Sequence, residues 1–191
     1  MTLRIYNYAH FHPAVLAGSE QVTAMIFRRV GVDVTWMDCS LYVPPLAKTP
    51  VCQDSMAPAE FAVRIVDRSW PQRTVVHFEG TGLALPCARN LTGCYLYIFY
   101  EPIAQWAEDE DISASAILGH AIAHEVGHLL LGSNSHSRTG IMRERWSQVD
   151  LTAMAHNPLR FSPDQCRRIQ ATLRTQLSAG RKEPRTRQEN P

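Results

Sequence analysis

One stretch restricts what this chain can fold into more than any other: residues 119–142, GHAIAHEVGHLLLGSNSHSRTGIM. Its first half is apolar enough for a buried helix, with Ala121, Ile122, Val126, Leu129, Leu130 and Leu131, yet it also carries His120, His124, Glu125 and His128. Burying imidazoles and a carboxylate without partners is unfavourable, so the fold has to compensate them. The spacing says how. In a helix reaching about Leu131, His124 and His128 share one face, with a rise of about 6 Å between them. Two rings on adjacent turns can reach one metal ion, and Glu125 emerges beside the first ring, where its carboxylate faces a water rather than the ion. A zinc site therefore explains the pattern better than accident.

A catalytic zinc takes three protein ligands and keeps one position open. The candidates for the third are His120, His136, Glu144 and Asp150. His120 continues the four-residue stripe, but the helix rises about 12 Å from His120 to His128, too far for both to share one ion. It reads as a core residue or a support behind the ligands. Gly132 reads as a left-handed cap that ends the helix and lets the chain double back, which brings His136 to the open side of the metal. Glu144 is the next choice. The histidines His10, His12, His77 and His156 have no partners at ligand spacing, and Trp36, Trp70, Trp106 and Trp146 read as packing residues.

The 191 residues allow one substantial core with a small second lobe. A 45 % hydrophobic and 19 % charged composition is that of a soluble globular protein, and a net charge of +1 leaves no footprint for nucleic acid. No apolar run is long enough for a membrane span, and the start MTLRIYNYAH has no signal-peptide core. An exported or periplasmic location is expected if the numbering starts after a removed leader, and a cytoplasmic one otherwise. Of five cysteines, Cys39 and Cys52 bracket a Pro-rich loop and Cys87 and Cys94 a Gly/Asn loop. Each pair could close a local disulfide in an exported protein, leaving Cys166 over; the alternative is five reduced cysteines in a cytosolic one.

Along the chain, residues 2–8 alternate as a strand, Pro13 opens a helix that Gly31 stops, and residues 32–37 alternate as a second strand. That is a βαβ unit with a parallel, right-handed crossover. A proline-dense loop follows, then a strand at 61–66, while 74–78 is either a short strand or only a loop. An apolar piece at 83–85, preceded by Gly80 and Gly82 and closed by Pro86, suits an edge strand. YLYIFY at 95–100 is the strongest strand signal. The acidic run 108–111 leads into the long helix, where its charge would complement the helix dipole, and Ser113 caps or enters the first turn. Residues 143–160 read as irregular or weakly helical. Ser162, Pro163 and Gln165 form a capping box for a last helix to about Leu177, and residues 179–191 have the composition of a disordered tail.

HEVGHLLLGSNSHS followed by GIM resembles the metzincin clan of zinc metallopeptidases, whose signature is H-E-x-x-H-x-x-G-x-x-H with a later methionine turn. By that resemblance His124, His128 and His136 are the ligands, Glu125 is the general base, and Met142 forms the apolar floor below the metal. Ser137 and FSPDQCRRIQATL look like the matrix-metalloprotease branch. The motif is specific over 124–142 and the looser likeness runs to about residue 178. Two departures stand out: Gly132 lies four residues after His128 and His136 four after Gly132, each one more than in the signature, and Arg143 and Arg145 stand where some branches place a tyrosine.

The resemblance implies an α+β, zincin-like fold. Its expected parts are a mixed twisted sheet of four to five strands, two long helices, and a small C-terminal lobe ending in a helix. The catalytic domain would be 1–178, divided into lobes 1–132 and 133–178. It implies a monomeric Zn2+ endopeptidase in which a zinc-activated water attacks a peptide bond and Glu125 takes its proton. The peptide or protein substrate would pair with the edge piece at 82–85, and the chain after Met142 would wall the pocket for the side chain past the cleaved bond. The alternatives are a non-catalytic zinc module, a zinc hydrolase of another clan with Glu144 or Asp150 as third ligand, and an amidase acting on non-peptide amides.

Overall fold

The computed structural model describes residues 1–40, 52–67, 80–85 and 94–180. Residues 74–78 with His77, as well as Trp70, Pro86, Cys87 and the tail beyond 180, lie outside the described residues.

The βαβ opening is present. Strand β1 (Thr2–Asn7) leads into helix α1 (Pro13–Arg28) and returns as strand β2 (Thr35–Asp38), paired parallel to β1. Pro13 starts α1 and His12 caps it, its ring nitrogen accepting from the Ala14 N–H. Strand β2 begins three residues later than the alternation suggests, because residues 32–34 are spent leaving Gly31 at φ +78°. Strand β3 (Glu60–Val66) pairs parallel with β1, and strand β5 (Cys94–Phe99) pairs parallel with β3. Strand β4 (Gly82–Leu85) runs antiparallel on the outside of β5. The described strands form a mixed five-stranded sheet in the order β2-β1-β3-β5-β4, with β4 at its edge. The disulfide Cys39–Cys52 is formed, Cys94 is disulfide-bonded as well, and Cys166 is free.

Alternation gives the sheet one apolar face. Leu3, Ile5, Phe61, Val63, Ile65, Leu96 and Ile98 are buried in one cluster with α1 and helix α3 (Ala114–Leu131). Within α3, Ile117, Leu118, Ile122 and Val126 have no accessible surface, each worth about 1.5–3 kcal/mol over exposure. Glycine inside a helix costs about 1 kcal/mol, so Gly119 needs a reason. A Cβ there would stand 2.8 Å from the Ser19 carbonyl of α1, and 2.7 Å from Val22. The glycine lets the two helices touch, and Thr23 donates to the Gly119 carbonyl at 2.9 Å across the contact.

Four expectations need correction. Residues 100–109 form helix α2 (Tyr100–Asp109), which follows β5 directly, so Tyr100 opens a helix instead of closing a strand. The acidic run then lies at the C-terminal end of α2 and in the turn at Asp111 (φ +50°), and the first turn of α3 holds no acid. Its dipole role is therefore withdrawn. Residues 143–160 contain a regular helix, α4 (Gln148–His156), opened by Ser147, whose N–H and hydroxyl both donate to Asp150 at 2.8 and 2.7 Å. Gly132 does cap α3 at φ +95°, but its ψ of 164° makes it an extended exit and not a left-handed helical turn. Helix α5 (Pro163–Gly180) begins with the expected box: Ser162 N–H to Gln165 at 2.8 Å and Gln165 N–H to Ser162 at 3.2 Å.

Candidate metal centre

Helix α3 carries His124, Glu125 and His128, and the loop after Gly132 returns His136 to them. One ring nitrogen from each of His124, His128 and His136 lies within 4.8 Å of the others, an arrangement that could hold a metal ion. The His128 Nε2 stands 3.0 Å from the Nε2 of His124 and 3.0 Å from that of His136. Three nitrogens around a tetrahedral zinc at bonds of 2.0–2.1 Å would be about 3.3 Å apart. The two His128 separations are thus within a few tenths of an ångström of those in a zinc ligand set.

The protons support the same reading. The His124 Nδ1 lies 2.8 Å from the Ile141 carbonyl, which can only accept, so the neutral ring carries its hydrogen on Nδ1 and presents a bare Nε2. The His128 Nδ1 lies 3.0 Å from the buried Ser135 hydroxyl, which can accept a proton and free Nε2 in the same way. Burial, together with the neighbouring rings, pushes His124 down to about 4 and lowers His128, against the Ile141 and Gly132 backbone bonds respectively. Both rings are neutral at pH 7, the form in which imidazole binds a metal.

The remaining candidates for the third position sit elsewhere. His120 is fully buried. Its Nε2 accepts the Leu159 N–H at 3.0 Å, so its Nδ1–H donates to the Ala116 carbonyl at 2.6 Å, and both nitrogens are used in the core. Asp150 is taken by Arg143 at 2.7 Å and by Ser147. Glu144 is exposed and does not join the donor group.

Glu125 is only 6 % exposed. Burial pushes its carboxyl up to about 8, opposed by a hydrogen bond from the Ala84 backbone. Its ceiling is the edge strand: a Cβ on Gly82 would stand 2.6 Å from Glu125 Cγ and 2.8 Å from the Tyr97 carbonyl. Gly82 is therefore what allows β4 to lie directly on the carboxylate. From the sequence Gly82 reads only as the start of an edge piece, because the contact joins residues far apart in the chain.

Met142 is fully buried beneath α3. It fits because Gly127, between the two helix histidines, has no side chain; a Cβ there would come within 2.5 Å of the Met142 sulfur and 3.0 Å of Phe161. The loop is fixed by the Ser137 N–H, which donates to the Met142 carbonyl at 2.7 Å. Trp146 packs edge-on to His124 at 5.6 Å and donates to the same Ile141 carbonyl at 3.2 Å. It is a packing residue, as read from the sequence, and it also walls a donor ring. The H-E-V-G-H string shows Gly127 but not its purpose, and nothing in the sequence points to the Ile141 carbonyl or to Ser135. Compared with known proteins, the chain matches no family model, no curated protein and no solved structure.

Proposed function

We propose that the protein is a zinc-dependent endopeptidase with a zincin-like fold, built on the donors His124, His128 and His136. The observation that carries this reading is the convergence of three Nε2 atoms next to a buried carboxylate that is not among the donors. A purely structural metal has no use for Glu125, whose burial raises its pKa to about 8. Zinc bound there would polarise a substrate carbonyl, acidify a water, and favour the ionised form of Glu125.

The chain's own residues supply the rest. The Glu125 carboxylate takes the proton of the attacking water and returns it to the departing amine. Gly82 and the Ala84 N–H hold that carboxylate in place. Among the described strands β4 has a partner on one side only, so its free edge can align an extended peptide through main-chain bonds. Trp146 and the Ile141 carbonyl keep the His124 ring oriented.

Zinc-loaded protein assayed on a mixed peptide library beside Glu125→Gln tests the proposal. The variant should keep its zinc and lose about 100- to 10,000-fold in turnover, as expected for loss of a general base. Undiminished cleavage by the variant would refute the mechanism, and a zinc-loaded wild type that cuts no peptide would refute the activity.

A further inference from the structure

The Ser162–Gln165 box caps α5, a task with no bearing on the metal centre, yet Gln165 does more than cap. It is only 6 % exposed, and its side-chain amide has two backbone neighbours. The Ser162 N–H donates to Oε1 at 2.8 Å, and Nε2 donates to the Ser135 carbonyl at 3.3 Å. An N–H can only donate and a carbonyl only accept, so the two bonds together fix which way the amide points.

Ser135 is buried as well, and its hydroxyl lies 3.0 Å from His128 Nδ1, the nitrogen turned away from the other donor rings. A histidine that offers Nε2 to a metal is oriented by what its Nδ1 meets. Ser135 follows the end of α3, so the regular backbone of that helix does not set where its hydroxyl stands, and the loop has to be held from outside.

The approach to α5 holds the same loop at a second point. The Arg160 carbonyl accepts the Ile141 N–H at 3.0 Å, and a Cβ on Gly140, at φ +80°, would stand 2.5 Å from that carbonyl. The Ile141 carbonyl is the outer partner of His124. Residues 160–165 therefore grip the peptide behind each helix donor, Ile141 for His124 and Ser135 for His128. Docking of α5 on α3 uses other side chains: Arg168 donates to the Leu131 carbonyl at 2.7 Å and Thr172 to that of Leu130 at 3.0 Å. The docking bonds and the bond to the loop can thus be removed separately.

We propose that Gln165 is a positioning residue of the metal centre, acting on His128 through Ser135. The inference rests on the metal-binding part of the reading above and not on peptidase activity. A double-mutant cycle on the full chain tests it, read as zinc affinity by competition with a chelating dye. Gln165→Glu keeps an oxygen for the Ser162 N–H and so preserves the cap, but has no N–H for Ser135. The neutral Gln165→Leu controls for the added charge and takes its place in the cycle if the buried carboxylate prevents folding. Ser135→Ala removes the hydroxyl. Each change should weaken zinc binding by about 10-fold, the lower end of what the outer partners of a ligand are worth. The double variant should lose no more than Ser135→Ala alone, because both changes cut one path. Thr172→Val, which removes a docking bond, should lower the urea midpoint of metal-free protein and leave zinc affinity within about twofold of the wild type. Unchanged zinc affinity in the Gln165 variants, additive losses in the double variant, or an equal loss in Thr172→Val would overturn the proposal. A wild type that binds no zinc would remove the metal reading itself, an outcome distinct from a bound metal that ignores Gln165.

Discussion

His124 and His136 offer the same atom to the same point from opposite surroundings. His124 sits in α3, 8 % exposed, with its ring held by the Ile141 carbonyl and walled by Trp146. His136 is exposed, on a loop tied down at Ser137 and turned at Gly140. The helix half is fixed by burial and regular backbone geometry, so its donors are in place before any metal arrives. The loop is anchored by buried Ser135, Ile141 and Met142, but the His136 side chain itself stands on its exposed side. Metal affinity should therefore depend on both halves, and stability mainly on one.

The largest effect expected is on the metal itself. His124→Ala and His136→Ala should each weaken zinc binding by more than the roughly 10- to 100-fold that outer partners of ligands are worth, read by competition with a chelating dye. Only His124→Ala should also lower the melting temperature of metal-free protein, because it alone empties buried volume. Glu144→Ala should bind zinc as the wild type does. Full zinc affinity in His136→Ala would sink the loop half of the comparison.

Acid should act on the buried half next. Burial pushes His120 down to about 4, against its Ala116 backbone bond, from an ordinary value of 6.5. Between those values the unfolded chain binds a proton that the folded one refuses, so stability is fully present above pH 6.5 and falls as the pH drops towards 4. The loss amounts to about 3 kcal/mol over the window. Urea unfolding of metal-free protein at pH 5 and 7 should show His120→Gln less stable at pH 7 but with a shallower pH dependence, by about one proton. Parallel curves for the two proteins would be fatal to this account.

A smaller effect separates Glu125 from the donors. Gly82→Ala meets the Tyr97 backbone as well as Glu125, so something must shift, at about 1–3 kcal/mol. Turnover should fall while zinc stoichiometry stays at that of the wild type. A variant with normal kinetics would show that β4 does not position the carboxylate.

Much of this was legible in the residues. His124, Glu125 and His128 carry two independent signals, helical spacing and ligand chemistry, that agree. His136 follows from a short return of the chain, and the Cys39–Cys52 pair and the Ser162–Gln165 box are equally local. Helix α2 was hidden because YLYIFY runs into it without a glycine or a turn residue, so the apolar run conceals the change of period. Helix α4 had a readable signature, Ser147 three residues before Asp150, which loses its prominence among the neighbouring charges. The Gly82–Glu125 and Gly127–Met142 contacts depend on how β4 and the loop lie against α3, and no local pattern encodes that placement.

The short sequence span of the donors bears on the order of assembly. His128 and His136 are only 8 residues apart, whereas Arg4 reaches Glu60 across 56 residues and Thr23 reaches Gly119 across 96. Near contacts close at less entropic cost and sooner than distant ones. A refolding chain is therefore expected to capture metal once α3 and its loop exist, before β1 and α1 complete their contacts with β3 and α3. Stopped-flow refolding with a zinc indicator would show capture preceding the return of peptide cleavage, and simultaneous appearance would refute it. The donor group is thus the most local part of the fold, and the pairings that span the chain close around it afterwards.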